Sequence, residues 1–164
     1  MDSLLIGIAR NAAALLNDAE FLFEHGRYAR AAAIAVLAGE EAGKFWLVKF
    51  DPAWRQKFHL HPAKLSTTAR FQLAEATGIL SKRTRDLRDA YNAVPDHPEY
   101  AAWVERAKAF SSKKETGLYV DFDDKDEPTA VGGQETATEC LAYARAEVER
   151  LGLAEVVKGV RAAP

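Results

Sequence analysis

Residues Ala31 to Val48 read AAAIAVLAGEEAGKFWLV, and this run decides the fold. Its charged residues are Glu40, Glu41 and Lys44. Alanine and leucine-type residues fill the rest and no proline interrupts them, so the run reads as a helix of about five turns. Apolar residues lie all round it, the mark of a helix buried among others. Ile34, Ala38, Phe45 and Val48 form one row with Glu41 inside it. Ala33, Val36 and Leu47 form a neighbouring row with Glu40 inside it. A carboxylate on a buried face costs on the order of several kcal/mol unless it is paired. The fold must therefore bring a partner here or leave a wet cavity, and either makes a candidate site. The plainer alternative is an exposed helical pair: Lys44 follows Glu40 by four residues, an order worth about 0.3–0.5 kcal/mol. Two adjacent acids with Lys44 as their one local partner favour the buried reading.

Outward from this helix, the pattern stays helical. Leu4, Ile8, Ala12, Leu15, Ala19 and Leu22 recur at helical spacing and predict a first helix over residues 3–24, closed by Gly26. The second helix runs from about Arg27 to Phe50, where Asp51-Pro52 ends it; a short helical turn is expected over 53–58. His59-Leu60-His61-Pro62 breaks the regular pattern, and Pro62 suits the first turn of a third helix reaching about Leu80. Gly78 is a candidate kink or break. Helix is expected again over 81–93, carrying the basic run Lys82–Arg88, and over 99–114 after a Pro95–Pro98 turn. Gly117-Leu118-Tyr119-Val120-Asp121-Phe122 alternates and predicts a short extended arm. An acidic loop over 123–133, a helix over 134–151 and a weaker one over 153–161 complete the chain. The fold class is all-α, a helical bundle with that one extended arm, in a single domain over 1–164.

Composition narrows the function. The 164 residues carry 22 Lys and Arg against 24 Asp and Glu. Residues 1–114 hold 17 basic and 13 acidic side chains, and residues 115–164 hold 5 and 11. A mildly basic body with an acidic tail permits nucleic-acid contact without demanding it. The single cysteine, Cys140, cannot form an internal disulfide and suits a reducing cytoplasm. No apolar stretch is long enough for a membrane span, and the N-terminus does not read as a signal peptide.

Candidate chemistry gathers near the turn before the third helix. His61 titrates near working pH and can move protons. Lys64 lies three residues on, so both side chains can address one cleft at a helix start, where the dipole favours an anion. If Glu41 and Lys44 face that cleft, it holds a base, cations and an orienting carboxylate. That set suits proton transfer beside a phosphate; it equally suits a buried polar network fixing helix register. His59 and His61, two apart with no nearby cysteine, are not a zinc pattern. The 121–127 acidic segment lacks the glycine and twelfth-position acid of a calcium loop. No metal or cofactor is expected. The tryptophans Trp46, Trp54 and Trp103 read as core anchors and Cys140 as an inert buried residue.

Four ordered pieces resemble the AbiV family of bacterial abortive-infection proteins. They are Asn11-Ala12 with Asp18-Ala19, then Gly26-Arg27-Tyr28 leading to Glu40-Glu41-Ala42-Gly43-Lys44, then His61-x-x-Lys64, then Lys114 with Gly117-Leu118-Tyr119-Val120-Asp121-Phe122. They span roughly residues 10–130. The resemblance implies a HEPN-like helical bundle, a phage-defence role in the bacterial cytoplasm and a homodimer. HEPN proteins of this kind include metal-independent endoribonucleases that use an Arg and a His four to six residues apart. Arg55 and His61, with five residues between them, fit that spacing; Arg88 and His97 do not. If the protein is an enzyme, the resemblance implies a metal-independent ribonuclease acting on RNA, in which His61 moves the proton, Lys64, Lys44 and Arg55 hold phosphate, and Glu41, helped by Glu40, orients them. The alternative is a non-enzymatic defence protein that binds a phage or host protein, with the Glu/Lys/His cluster structural. The enzyme question stays open at this stage.

Overall fold

The computed structural model describes residues 3–50, 61–79, 87–118 and 133–152. Six helices are present among them: α1 (Ser3–Glu24), α2 (Tyr28–Phe50), α3 (His61–Ala76), α4 (Leu87–Ala93), α5 (Tyr100–Leu118) and α6 (Gln134–Arg150). A 3-10 turn over Val94–Asp96 joins α4 to the approach of α5. No strand occurs among the described residues.

The alanine-rich helix α2 is the centre of the bundle. It packs against α1, α3, α5 and α6. Its small side chains explain this: Ala31, Ala32, Ala33, Ala35, Ala38 and Ala42 are all buried and hold no bulk that would keep neighbours away. Gly39 and Gly43 go further. The Tyr143 ring of α6 lies over Gly39, and the Lys64 carbonyl of α3 lies over Gly43. Near the end of α2, larger side chains take over. Trp46 stacks on Phe50 and meets Phe45 and Phe71, and Tyr91 of α4 closes the cluster. The Trp46 indole nitrogen is buried there without a hydrogen-bond partner among the described residues.

Helix ends follow local chemistry. Gly26 adopts φ +71°, Arg27 N–H donates to Leu22 C=O at 2.9 Å and Gly26 N–H to Phe23 C=O at 3.0 Å. This left-handed close lets α2 fold straight back on α1.

Two expected boundaries move. The third helix ends at Ala76, not Leu80: the Thr77 hydroxyl donates to Leu73 C=O at 2.7 Å and Gly78, at φ +75°, breaks the helix. The extended arm expected from Gly117 does not begin there, because α5 continues through Leu118. Adding a residue to a formed helix gains a hydrogen bond, which outweighs a weak alternation and the ~1 kcal/mol glycine penalty. The rest of that arm, the turn over 53–58, the run Lys82–Asp86 and the expected helix over 153–161 lie outside the described residues.

Candidate functional site

Glu40 is the first test of the buried-acid reading. Its residue is 2 % exposed, among Ala33, Val36 and Leu47. Its partner comes from across the bundle: Lys114 Nζ of α5 donates to Glu40 Oε1 at 2.6 Å. Lys44 does not serve as Glu40's helical mate in this pair. It reaches Glu41 instead, with Nζ 3.2 Å from Oε2. Of the two readings, the fold-supplied partner is the one seen for Glu40: the pairs are one within α2 and one between helices. The reason is geometric. Glu40 and Glu41 stand about 100° apart round the helix, so Glu40 faces α5 while Glu41 faces α1.

Lys64 joins them from α3. Its residue is 5 % exposed. The charges around it are Glu41 and Glu40, which favour its protonated form, and Lys44 and Lys114, which oppose it. Burial is the largest influence and pushes its pKa below the usual lysine range. Glu40, Glu41, Lys44, Lys64 and Lys114 therefore form one polar cluster where α2, α3 and α5 meet. Arg55 and the side chain of His61 lie outside the described residues; His61 itself opens α3, one turn before Lys64.

The cluster has an open side. A groove of about 490 Å³ runs between the start of α1 and the middle of α2, lined by Ser3, Leu4, Gly7, Ile8, Asn11, Glu41 and Lys44. Space stands empty beside Gly7, where a side chain would otherwise project. The Glu41–Lys44 pair, largely but not fully buried, forms its polar wall.

A second buried polar chain continues along α3 and α6. Thr68 Oγ1 lies 2.7 Å from the Tyr143 hydroxyl. Burial raises the Tyr143 pKa well above its usual value, with the Glu147 charge acting the same way. Glu147 accepts from Gln72 Nε2 at 2.9 Å and from Arg150 Nε at 3.3 Å. The guanidinium of Arg150 also holds Glu75. Burial raises the Glu147 carboxyl despite these donors.

A family model described as AbiV, of the HEPN class, matches residues 4–148. The chain belongs to the AbiV family. It is accordingly an abortive-infection protein of HEPN type, a class whose domains often dimerise and act on RNA. No curated protein and no solved structure matches the chain. No helix among the described residues is long and apolar enough to cross a membrane.

Of the residues this AbiV sequence singles out, the structure brings Glu40, Glu41, Lys44 and Lys64 into one neighbourhood. Sequence reasoning gave no role to Lys114. The signal was present: Trp103, Ala107, Phe110 and Lys114 fall on one face of α5, so the lysine shares the inward row. Glu147 was missed likewise, although it sits in the α6 row of Cys140, Ala144 and Val148.

Proposed function

We propose that this AbiV protein defends its host by cleaving RNA without a metal ion. The observation that supports this is two lysine–glutamate pairs, Lys44 with Glu41 and Lys114 with Glu40, with the buried Lys64 of α3 in their field and Glu41 and Lys44 on a groove open to solvent. RNA cleavage needs the 2′-hydroxyl deprotonated, the phosphate held and the leaving oxygen protonated. Lys44, on the groove wall, is placed to meet a phosphate oxygen as a cation held in position by Glu41. His61 supplies the titrating imidazole in this reading, and Arg55 a further cation. Glu40 fixes Lys114 behind them. A homodimer, the habit of the wider class, belongs to the same proposal.

The test is direct. Purified protein is incubated with labelled bacterial RNA in excess chelator, beside His61→Ala and Lys44→Ala. Cleavage by the parent and a loss of about 100-fold or more in each folded variant is the expected result. A folded parent that protects against phage yet leaves RNA intact would overturn the reading.

One observation favours a second reading, in which the protein binds a phage or host protein. Both glutamates already hold a lysine, as a structural network would. Protection that survives Lys44→Ala and His61→Ala would select it.

A further inference from the structure

Arg70 stands on α3 between the buried Ala69 and Phe71 and is itself part-exposed. Its guanidinium is held in place by two rings. The Tyr91 ring of α4 has its centroid 4.2 Å from Cζ, and that of Tyr100 on α5 is 5.4 Å away. Arg70 Nε donates to the Tyr100 hydroxyl at 2.9 Å. Both rings are anchored in turn: Tyr91 packs on Phe50 and Phe71, and Tyr100 on the buried cluster of Leu73, Ala74 and Val94. The two terminal nitrogens bond to no described residue. Neither is shut away, because among the described residues the Trp46 indole nitrogen alone is buried without a partner. Nη1 and Nη2 therefore face water as a fixed, two-pronged donor. One turn along α5 the pattern repeats. The exposed Arg106 lies over the Trp103 ring at 5.2 Å and pairs with no described carboxylate. Acids are present on these elements, yet Glu105 is held by Lys108 at 2.6 Å and none of Asp89, Asp96 and Glu99 bonds to either arginine. Arg150 shows the structural alternative: it too lies over a ring, that of Phe71, but Glu75 and Glu147 take its donors.

We propose that Arg70, with Arg106 beyond it, forms a seat for the phosphate backbone of single-stranded RNA, separate from the Glu41–Lys44 groove. The choice of RNA rests on the RNA-cleaving reading; the anion seat does not. A guanidinium matches two phosphate oxygens with two parallel N–H donors, and one that is already held loses little freedom on binding. Tyr100 takes Nε, so the edge carrying Nη1 and Nη2 is the one offered to a ligand. Tyr100 and Trp103 lie about 4.5 Å apart along the helix axis, which sets the two arginines in a row. A strand with a phosphate at every nucleotide presents successive anions to such a row; a single anion leaves the second arginine idle. The resulting hold is on backbone rather than base, so it is salt-dependent and blind to sequence. From Tyr100 to Lys114 α5 rises about 21 Å, so the seat positions a strand and does not touch the bond cleaved at the polar cluster.

The probe is a fluorescent oligoribonucleotide carrying 2′-O-methyl groups throughout, which can bind but has no 2′-hydroxyl to start cleavage. Its affinity is read by anisotropy over a salt series for the parent, Arg70→Ala, Arg70→Lys, Arg106→Ala and Arg145→Ala. The last removes a surface arginine of α6 that pairs with Glu20. The expected result for Arg70→Ala is a loss of about 10-fold and a salt slope shallower by about 0.7, the share of one single-strand phosphate contact. Arg106→Ala should flatten the slope likewise. Arg70→Lys keeps the charge without the fork and should stay weaker than the parent. Arg145→Ala should bind as the parent does. Parent-like binding by either Arg70 variant or by Arg106→Ala overturns the proposal, as does an equal loss in Arg145→Ala or no binding by the parent. Equal affinity for a phosphoserine peptide of matching charge also overturns it, in favour of a phosphoprotein partner. If Arg70→Ala does not fold, Tyr100→Phe takes its place: it keeps the ring and removes the hydroxyl that holds Nε, and unchanged binding sinks the seat. Cleavage of unmodified RNA is scored apart. A parent that holds the modified strand through Arg70 yet cleaves nothing upholds the seat and refutes the enzyme. A parent that cleaves while Arg70→Ala binds unchanged does the reverse.

Discussion

Glu147 shows how a single buried carboxyl makes stability depend on pH. Burial holds its pKa above the usual 4.5, although Arg150 and Gln72 donate to it. The folded chain therefore binds this proton more readily than the unfolded chain does. The penalty for a charged Glu147 is fully present above the folded pKa and is relieved as pH falls through it toward 4.5. Glu147→Gln removes that penalty while keeping an oxygen for Gln72, and Arg150 keeps Glu75. The variant's stability relative to the parent should therefore be greatest near neutral pH and decline on acidification. Urea unfolding of both proteins from about pH 7 to about pH 4.5 measures it, and a flat difference contradicts the assignment. Cys140 gives a second residue-level expectation. It is buried, and burial pushes its thiol up to about 11. A disulfide reagent at mildly alkaline pH should leave it untouched in the folded protein and react at once after unfolding; rapid native reaction would refute the buried placement.

At the scale of the helix, α2 depends on two missing side chains. A Cβ at Gly43 would stand against the Lys64 carbonyl oxygen, with the carbonyl carbon 2.8 Å away. A Cβ at Gly39 would stand against the Tyr143 ring, with Cζ 2.8 Å away. Neither obstacle yields easily: one is backbone, and the other is a ring stacked on Phe110 and bonded to Thr68. In an uncrowded helix, Gly→Ala stabilises by about 0.5–1 kcal/mol. Here Gly43→Ala and Gly39→Ala should each destabilise by about 1–3 kcal/mol, with Gly43→Ala the worse. Urea melts decide the sign, and stabilisation by either change would show that α2 is not in close contact there. The helix itself was legible in the sequence because its apolar rows and lack of proline leave no other regular structure. The close approaches were not legible. A glycine in an alanine-rich helix looks the same whether it meets solvent, a ring or a carbonyl. Likewise the alternation from Gly117 to Phe122 resembles an extended segment until α5 is known to run through it as far as Leu118.

Across the whole molecule, the Glu40–Lys114 pair ties the centre of the bundle to α5, joining residues 74 positions apart. That a partner must come was readable from α2 alone; which residue comes was fixed only by how α2 and α5 cross. Other cross-helix pairs, Arg145 with Glu20 and Lys113 with Glu139, lie at the surface. Water and salt screen those, and each is worth roughly 0.2–1 kcal/mol. The buried pair differs in kind. Removing one partner strands a charge in the interior, at a cost of about 3–5 kcal/mol, while replacing both with apolar groups can be nearly neutral. Lys114→Met should therefore destabilise strongly, and Glu40→Leu should do so by stranding the lysine. The double variant should recover most of the loss, giving a large coupling energy in the cycle. Lys64 adds a specific signature. With Lys114 gone, one of the cations that oppose the Lys64 charge is lost, so the Lys64 proton should bind more tightly in Lys114→Met than in the parent. Urea melts of the four proteins at low and high salt, with the Lys64 titration followed in the single variant, test both parts. Additive losses would mean that Glu40 and Lys114 act independently. An unchanged Lys64 midpoint would mean that the third amine does not share their charges.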